Sequence, residues 1–264
     1  MKAYKIISLQ TTKPTPSRLL NWEACYNTRE LGGYPLVNGG QTRWKALVRS
    51  DNLSQLTSTG QQALIDYGIR TVIDLRFPEE LVQDPNPFSH PAASLRGLHP
   101  QVINLPMAND QNLEWPAPQT PAEAMCDLYC RVLEKSRRHV AAVLTAIARA
   151  LPGGVLFHCH AGKDRTGLIA ALILAAVGAS PETIIEDYAF TYPLLDRRRK
   201  QDLEDPSLTP EQRSYWSVLF EPLPETMRLT LDYLDRRYGG AAGYLRTTPL
   251  LAEDLRQLQD RIRN

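Results

Sequence analysis

The chain of 264 residues has no excess of charge of either sign. Its 30 lysines and arginines are matched by 29 aspartates and glutamates, which gives a formal net charge of +1. Without a broad positive field, neither nucleic acid nor an anionic membrane surface is predicted as a partner. A site for an anion must therefore be built locally, from a few side chains and backbone groups.

Long apolar runs and an N-terminal signal are also missing. The longest apolar run, residues 167–179, has thirteen residues, which is short of the roughly 20 that span a bilayer. The first twenty residues contain no apolar segment of the length that a secretory signal needs. By default we expect a cytoplasmic protein without a membrane span, and export without a cleaved signal is the alternative.

Cysteine is scarce, with four residues in the chain, at positions 25, 126, 130 and 159. Four cysteines are too few for a disulfide framework in a chain of this length, which favours a reducing compartment. Cys126 and Cys130 are four residues apart in a predicted helix, so we expect them to share one face and pack as small apolar side chains.

Short β-branched runs alternate with helical patterns along the chain. This alternation predicts an α/β fold, in which helices flank a central, largely parallel sheet. The predicted strands are 43–50, 71–76, 102–107 and 155–159. The predicted helices are 56–69 (ending near Gly68), 120–151 in one or two pieces, 167–179, one capped by Ser180, and 225–263 with a break at Gly239-Gly240.

The whole chain, 1–264, is predicted to form a single domain. Residues 1–20 are predicted to be an N-terminal arm. Residues 192–225 contain five prolines and the basic cluster Arg197–Lys200, and are predicted to be a helical or irregular insertion that covers a site as a lid. The basic cluster is either a solvated helix face or a surface for acidic head groups.

The segment HCHAGKDRTG, residues 158–167, concentrates reactive side chains between a predicted strand and a predicted helix. Cys159 ends the strand, and the helix is expected to begin near Arg165 or Thr166. Backbone N–H groups of the turn and of the helix N-terminus then converge on one point, and Arg165 can fork onto two oxygens. The segment predicts a bowl for a tetrahedral dianion, lined by His160, Ala161, Gly162, Lys163, Thr166 and Gly167.

Cys159, at the bottom of this bowl, is predicted to be a nucleophile. Helix N-termini and neighbouring cations favour the thiolate form of cysteine. The thiolate would attack phosphorus in line, while Arg165 and the amides hold the equatorial oxygens. The resulting phosphocysteine would be hydrolysed by water, and the hydroxyl of Thr166 would donate to the departing thiolate.

The stretch from Cys159 to Gly167 resembles the signature of the cysteine-dependent tyrosine phosphatases. In it, five residues separate the cysteine from an arginine, and threonine and glycine follow. Further stretches resemble the bacterial family of these enzymes with broad, partly lipid-directed specificity, which includes mycobacterial and Listeria members. These stretches are NTRELGGYP (27–35), ALVRSDNLSQLT (46–57), GIRTVIDLR (68–76), Glu79 or Glu80 with Pro85, and RYGGAAGYL (237–245). The resemblance covers most of the chain and implies an α/β phosphatase without a cofactor. Its implied substrates are proteins phosphorylated on tyrosine, serine or threonine, or phosphoinositide head groups.

The resemblance also implies which group protonates the leaving oxygen. Many tyrosine phosphatases use a Trp-Pro-Asp segment, but Trp115-Pro116 is followed here by Ala117. The aspartate inside the loop, Asp164, is then the implied general acid. The alternatives are that Asp164 only holds the loop amides, and that Asp74 or Asp110 supplies the proton.

Neighbouring residues are predicted to support the bowl. Asp74 either faces it or orients Arg76, and His158 is expected to hydrogen-bond the backbone of Cys159 from inside the sheet. Lys163 is the position through which the resemblance implies lipid substrates, because a second cation at the rim favours polyphosphorylated head groups. Its alternative role is to raise the local positive potential.

Other interpretations of the segment fit less well. Two histidines and a cysteine are metal-ligand types, but the other three histidines are scattered along the chain, so no metal site is predicted. A nucleotide-binding P-loop needs serine or threonine after Gly-Lys, where this chain has Asp164. The remaining alternatives to a phosphatase are a non-catalytic phosphate-binding module and a rhodanese-like sulfurtransferase. Neither explains why both Cys159 and Arg165 are present.

Overall fold

The computed structural model describes residues 17–90, 95–107, 120–195, 209–210 and 221–263. A five-stranded sheet runs through this part of the chain. Its strands are β1 (Arg29–Glu30), β2 (Leu47–Ser50), β3 (Ile69–Asp74), β4 (Gln101–Asn104) and β5 (Gly154–His158). Their order across the sheet is β1-β2-β5-β3-β4, and only the β1–β2 pair is antiparallel. The predicted α/β fold with a largely parallel sheet is confirmed.

Helices cover both faces of the sheet. In the described residues they are α1 (Ser58–Tyr67), α2 (Pro78–Gln83), α3 (Pro121–Lys135), α4 (Arg137–Ala148), α5 (Asp164–Val177), α6 (Pro181–Ala189), α7 (Pro224–Tyr238), α8 (Ala241–Arg246) and α9 (Ala252–Ile262). Residues 191–195 are also helical. None of the helices described is long and apolar enough to cross a bilayer.

Successive side chains of the central strands enter two separate cores, because neighbouring residues of a strand point to opposite faces. The larger core holds Leu47, Ile73 and Phe157 together with α3 to α9. The smaller core lies on the opposite face and contains the adjacent side chains Val48 and Leu156, packed against α1. The strands are therefore apolar on both faces, as buried parallel strands are.

The apolar run 167–179 forms most of α5, which is buried along nearly its whole length. The helix begins at Asp164, slightly before the predicted start at Arg165 or Thr166. It ends at Gly178, which has a φ of +91° and caps the last turn. Because α5 is fixed in the larger core, the segment immediately before it is held against the sheet.

Several predicted elements are confirmed with changed bounds. The strand predicted at 43–50 begins only at Leu47, because Lys45 has a φ of +61° that interrupts an extended chain. The strand predicted at 71–76 ends at Asp74, where the side chain accepts from Arg76 N (3.1 Å) and turns the chain. Cys126 and Cys130 do share a face of α3, with their sulfurs 3.8 Å apart.

Some predictions lie outside the described residues. These are most of the arm at 1–20, most of the insertion at 192–225 with the cluster Arg197–Lys200, and Asp110. The described end of the arm packs on the sheet edge, since Leu19 bridges Arg29 and the guanidinium of Arg18 lies 3.9 Å from the ring centre of Tyr34. The single domain remains a prediction.

Candidate active site

The carboxyl ends of β2, β5 and β3 lie side by side at one edge of the sheet. Ser50, His158 and Asp74 are paired in register across these three strands. The chain segments that follow each strand therefore meet at this edge, where parallel sheets place their sites. The segment after β5 begins with Cys159 and runs into α5, so it forms the loop predicted from the sequence.

Three successive carbonyl oxygens of this loop accept hydrogen bonds from the segments beside it. The pairs are Asn52 N to His160 O (2.8 Å), Asn27 Nδ2 to Ala161 O (2.9 Å) and Arg49 Nη2 to Gly162 O (2.6 Å). In a trans peptide the N–H points away from the C=O of the same plane. The next three N–H groups of the loop therefore point away from these donors. This is the orientation required by a cup above Cys159, which is the bowl predicted from the sequence.

Gly162 is the residue that allows the loop to lie against the end of β2. Its φ is +67°, and a Cβ atom there would stand 2.4 Å from the carbonyl oxygen of Ser50. Both the backbone conformation and the close approach exclude a side chain. Glycine at this position is thus a condition for the loop geometry.

A buried carboxylate connects the loop to α6. Asp187 is almost fully buried and accepts from Arg29 Nε (3.0 Å), Arg49 Nη1 (2.5 Å) and Tyr34 OH (3.0 Å). Burial alone would raise the pKa of Asp187, but the two guanidinium groups lower it from 3.8 to about 2. Arg29 also donates to Asn27 Oδ1. Asp187 thereby orients two of the groups that hold loop carbonyls.

These supporting residues were missed in the sequence. Asn27, Arg29 and Arg49 lie in the stretches that carry the family resemblance, which is the signal that could have found them. Asp187 carries no such signal, because it is one polar residue in an amphipathic helix. Its role is visible only once α6 packs against the sheet.

Cys159 follows β5 directly and is 3% exposed. His158 places Nδ1 3.0 Å from the carbonyl oxygen of Cys159, as expected from the sequence. The hydroxyl of Thr166 is buried and has no hydrogen-bond partner among the described residues, so it does not donate to the Cys159 sulfur in this structure. His160 is half-buried, and no three metal-ligand side chains converge within the described chain.

Asp74 and Arg76 form a buried pair beneath the loop. Arg76 donates from Nε and Nη2 to the two carboxylate oxygens of Asp74, at 2.9 and 2.7 Å. Burial opposes the charge, but His158 and Arg76 hold the pKa of Asp74 well below its usual range. An ionised carboxylate with both oxygens occupied has no proton to give, so this geometry argues against Asp74 as the acid.

Arg165 is held by a carboxylate from the segment after β3. Its Nη1 and Nη2 lie 2.6 and 2.9 Å from the two carboxylate oxygens of Glu80 in α2. Burial would lower the pKa of Arg165, but the hydrogen bonds with Glu80 and nearby negative groups raise it above its usual value. The ion pair with Glu80 occupies the edge of the guanidinium formed by Nη1 and Nη2. The edge formed by Nε and Nη2 is the one that can donate two hydrogen bonds to an oxyanion.

Asp164 and Lys163 lie together at the start of α5. The ammonium of Lys163 is 3.3 Å from Asp164 Oδ1, and Tyr129 OH donates to the same oxygen at 2.5 Å. The side chain of Lys163 is only 4% exposed, whereas that of Asp164 is 37% exposed. The structure therefore places Lys163 in the interior beside the aspartate, and not at the rim where the sequence predicted it.

Together these groups form a cup for a tetrahedral oxyanion over a buried thiol. Inward N–H groups, the N-terminus of α5 and the Arg165 fork supply hydrogen bonds and positive charge. A carboxyl group, Asp164, stands at the side of the cup and within reach of solvent. The arrangement can bind a phosphate ester and place its phosphorus over the sulfur of Cys159.

Known proteins with similar sequences are named as phosphatases. A sequence model described as "Tyrosine phosphatase family" matches residues 20–264. A tyrosine-protein phosphatase of Nostoc commune is 29% identical over 232 residues, covering 82% of this chain and 74% of the relative. The triple specificity protein phosphatase PtpB of Mycobacterium tuberculosis is 27% identical over 239 residues, covering 76% of this chain and 84% of the relative. The solved structure of P. aeruginosa TpbA, at 16% identity, covers 69% of this chain and 85% of its own, and its TM-score of 0.29 is too low to establish a shared fold.

We predict that Gly162→Ala weakens the binding of inorganic phosphate by about tenfold or more, because the added Cβ displaces the loop from Ser50. The matched control is Gly178→Ala. Gly178 also has a positive φ, but no atom lies within 4 Å of its added Cβ. This variant should lose about 1–2 kcal/mol of stability and keep its phosphate affinity. Calorimetric titration measures the phosphate affinity of each variant, and equal affinities in the two variants would contradict the prediction.

A second prediction concerns Asp187 and pH. Because its pKa is lowered to about 2 in the folded protein, the ionised carboxylate stabilises the fold above about pH 4, and this contribution disappears as the pH falls through 2. The gap in unfolding free energy between the wild type and Asp187→Asn should therefore narrow by about 2 kcal/mol between about pH 5 and pH 2. Urea denaturation followed by circular dichroism measures the gap. A gap that does not change with pH would show that the arginines do not hold the carboxylate ionised.

Proposed function

The chain belongs to the tyrosine phosphatase family, and on that premise we propose that it hydrolyses phosphate monoesters through a phosphocysteine on Cys159. Membership makes it a phosphoric monoester hydrolase; the covalent route and the residue roles are the proposal. The observation that carries it is that three successive loop carbonyls bind the neighbouring segments, which leaves the following N–H groups pointing the other way and able to bind an oxyanion.

In the first step, the thiolate of Cys159 attacks phosphorus opposite the leaving oxygen. The sulfur–phosphorus bond forms as the phosphorus–oxygen bond to the leaving group breaks, and Asp164 gives its proton to that oxygen. The loop N–H groups and the free fork of Arg165 bind the three equatorial oxygens, where charge develops. Glu80 supports this step because it fixes the plane of the guanidinium.

In the second step, water attacks the phosphocysteine and inorganic phosphate leaves. Asp164, now ionised, accepts a proton from the water, and the sulfur departs as a thiolate. The buried hydroxyl of Thr166, which has no partner among the described residues, is a donor that can turn to the leaving sulfur. Donation to the thiolate would stabilise it as the sulfur–phosphorus bond breaks.

We propose phosphotyrosine as the preferred substrate and phosphoinositide head groups as a second class. The nucleophile Cys159 is 3% exposed, and an aryl phosphate extends farther from its backbone than a phosphoserine does. Lys163 is the cation through which the family resemblance implies lipid substrates. Its ammonium group lies against Asp164, and its side chain is almost fully buried. We propose that it acts on the carboxyl group and does not bind a second phosphate.

The test of the covalent route is Cys159→Ser. A serine hydroxyl is not ionised at neutral pH, so hydrolysis of p-nitrophenyl phosphate should fall by about 10⁴-fold or more. Acid quenching with a radiolabelled substrate should leave label on the wild type and none on the variant. Cys126→Ser, which removes a thiol on α3, is the matched control and should keep both activity and label.

Two outcomes would overturn this proposal. A folded wild type that binds phosphate without hydrolysing any aryl phosphate would be a non-catalytic binding module. Transfer of sulfur from thiosulfate to cyanide, without hydrolysis of a phosphate ester, would indicate a rhodanese-like sulfurtransferase. Each outcome is measured on the same protein preparation.

The role of Lys163 is tested with Lys163→Met. If Lys163 acts through Asp164, the variant should lose kcat/KM in the same proportion, by about tenfold, on soluble phosphoinositide head groups that carry one phosphate and on those that carry several, because both have an alcohol as the leaving group. Phosphate release measures both reactions. A loss confined to head groups with more than one phosphate would contradict the prediction and would assign Lys163 to the substrate.

A further inference from the structure

One oxygen of the Asp164 carboxyl group has two partners, a hydrogen-bond donor and a cation. Tyr129 OH donates to Oδ1 at 2.5 Å, and the ammonium of Lys163 is 3.3 Å from the same atom. The other oxygen, Oδ2, accepts no hydrogen bond from any residue in the part of the chain described here. An oxygen held by an ammonium and a phenol is a poor site for a proton, because the proton would displace both donors.

Tyr129 comes from α3, outside the loop, and is 1% exposed. Burial, followed by the negative charge of Asp164, raises the pKa of Tyr129 well above its usual value. The phenol is therefore neutral at neutral pH. It has a single proton to donate, and the short contact with Asp164 is where that proton goes.

Tyr188 from α6 fixes Tyr129 in turn. The two phenol oxygens are 2.8 Å apart, and the rings meet edge to face with centres 6.2 Å apart. Since the proton of Tyr129 is given to Asp164, Tyr188 must be the donor of this second bond. Gly167 permits the approach of Tyr188, because a Cβ at that position would lie 3.1 Å from the Tyr188 ring. The hydrogen bonds run in one direction, from Tyr188 to Tyr129 to Asp164.

We infer that Tyr129 is a positioning residue for the general acid: it holds Oδ1 so that the transferable proton stands on Oδ2. The inference rests on the proposed function, in which Asp164 protonates the leaving oxygen. Without Tyr129, the half-exposed carboxyl group can rotate and exchange its two oxygens. The proton would then face the leaving oxygen for a smaller fraction of the time, which slows only reactions that need the acid.

The experiment compares two substrates in Tyr129→Phe. Phenyl phosphate has a poor leaving group and needs the proton, whereas p-nitrophenyl phosphate releases a stable phenolate without it. We expect kcat/KM for phenyl phosphate to fall by about tenfold and that for p-nitrophenyl phosphate to change by less than about twofold. The inhibition constant of inorganic phosphate should be unchanged, because the cup itself is not altered.

Two further variants make the result decisive. Tyr188→Phe removes the donor to Tyr129 and should show a smaller loss with the same dependence on the leaving group, which keeps the test available if Tyr129→Phe folds poorly. Tyr244→Phe is the matched control, since Tyr244 OH donates to Leu133 O of the same helix, α3, at 2.7 Å. This control should lose stability alone and leave both substrates unaffected.

The outcomes separate this inference from the proposal on which it rests. Asp164→Asn should lower kcat/KM for phenyl phosphate by about 10²-fold or more and have less effect on the nitro compound. If it does not, the acid assignment fails, whatever Tyr129→Phe shows. If Asp164→Asn behaves as expected but Tyr129→Phe slows both substrates equally, or weakens inhibition by phosphate, Tyr129 supports the loop and the positioning role is wrong.

Discussion

The ion pairs of Asp187 with Arg29 and Arg49 are the interaction on which the site depends. Two guanidinium groups are buried in the same region of the protein, and their mutual repulsion is tolerable only because one carboxylate lies between them. Burial and the neighbouring Arg49 lower the pKa of Arg29 to about 10, so it remains charged at neutral pH. A buried ion-pair cluster is weak evidence for a stable fold, but this one orients the groups that hold the loop. Arg49 donates directly to one loop carbonyl, and Arg29 donates to Asn27, which donates to another.

Carboxylates beside the cup also hold other arginine side chains in fixed orientations. Asp74 holds Arg76 beneath the loop, and Glu80 holds Arg165 at its side. In each pair the carboxylate determines the plane of a guanidinium group, which has strict directional demands. The protein thus builds a local positive field on a chain whose formal net charge is only +1.

The sequence predicted what is local and not what depends on packing between distant segments. Strand, turn and helix lie consecutively around Cys159 and Arg165, so their spacing alone indicated a cup. Lys163 was placed at the rim because its immediate neighbours say nothing of its burial; in the structure α5 begins right after it and turns its side chain inward. Tyr129 and Asp187 occupy ordinary positions of amphipathic helices in the sequence. The polar contacts of Tyr129 arise only when α3 lies beside α5 and α6, and those of Asp187 only when α6 packs against the sheet.

The order of the chain gives the Asp187 cluster a further meaning, for biosynthesis. The arginines are made early, the loop more than a hundred residues later, and the carboxylate that neutralises them later still. A nascent chain that has completed α5 therefore contains Cys159 and the loop that follows it, yet cannot bury the arginines without leaving their charges unpaired. Assembly of the cup therefore depends on α6, so that the thiol of Cys159 is enclosed only after Ala189, the last residue of α6, has left the ribosome.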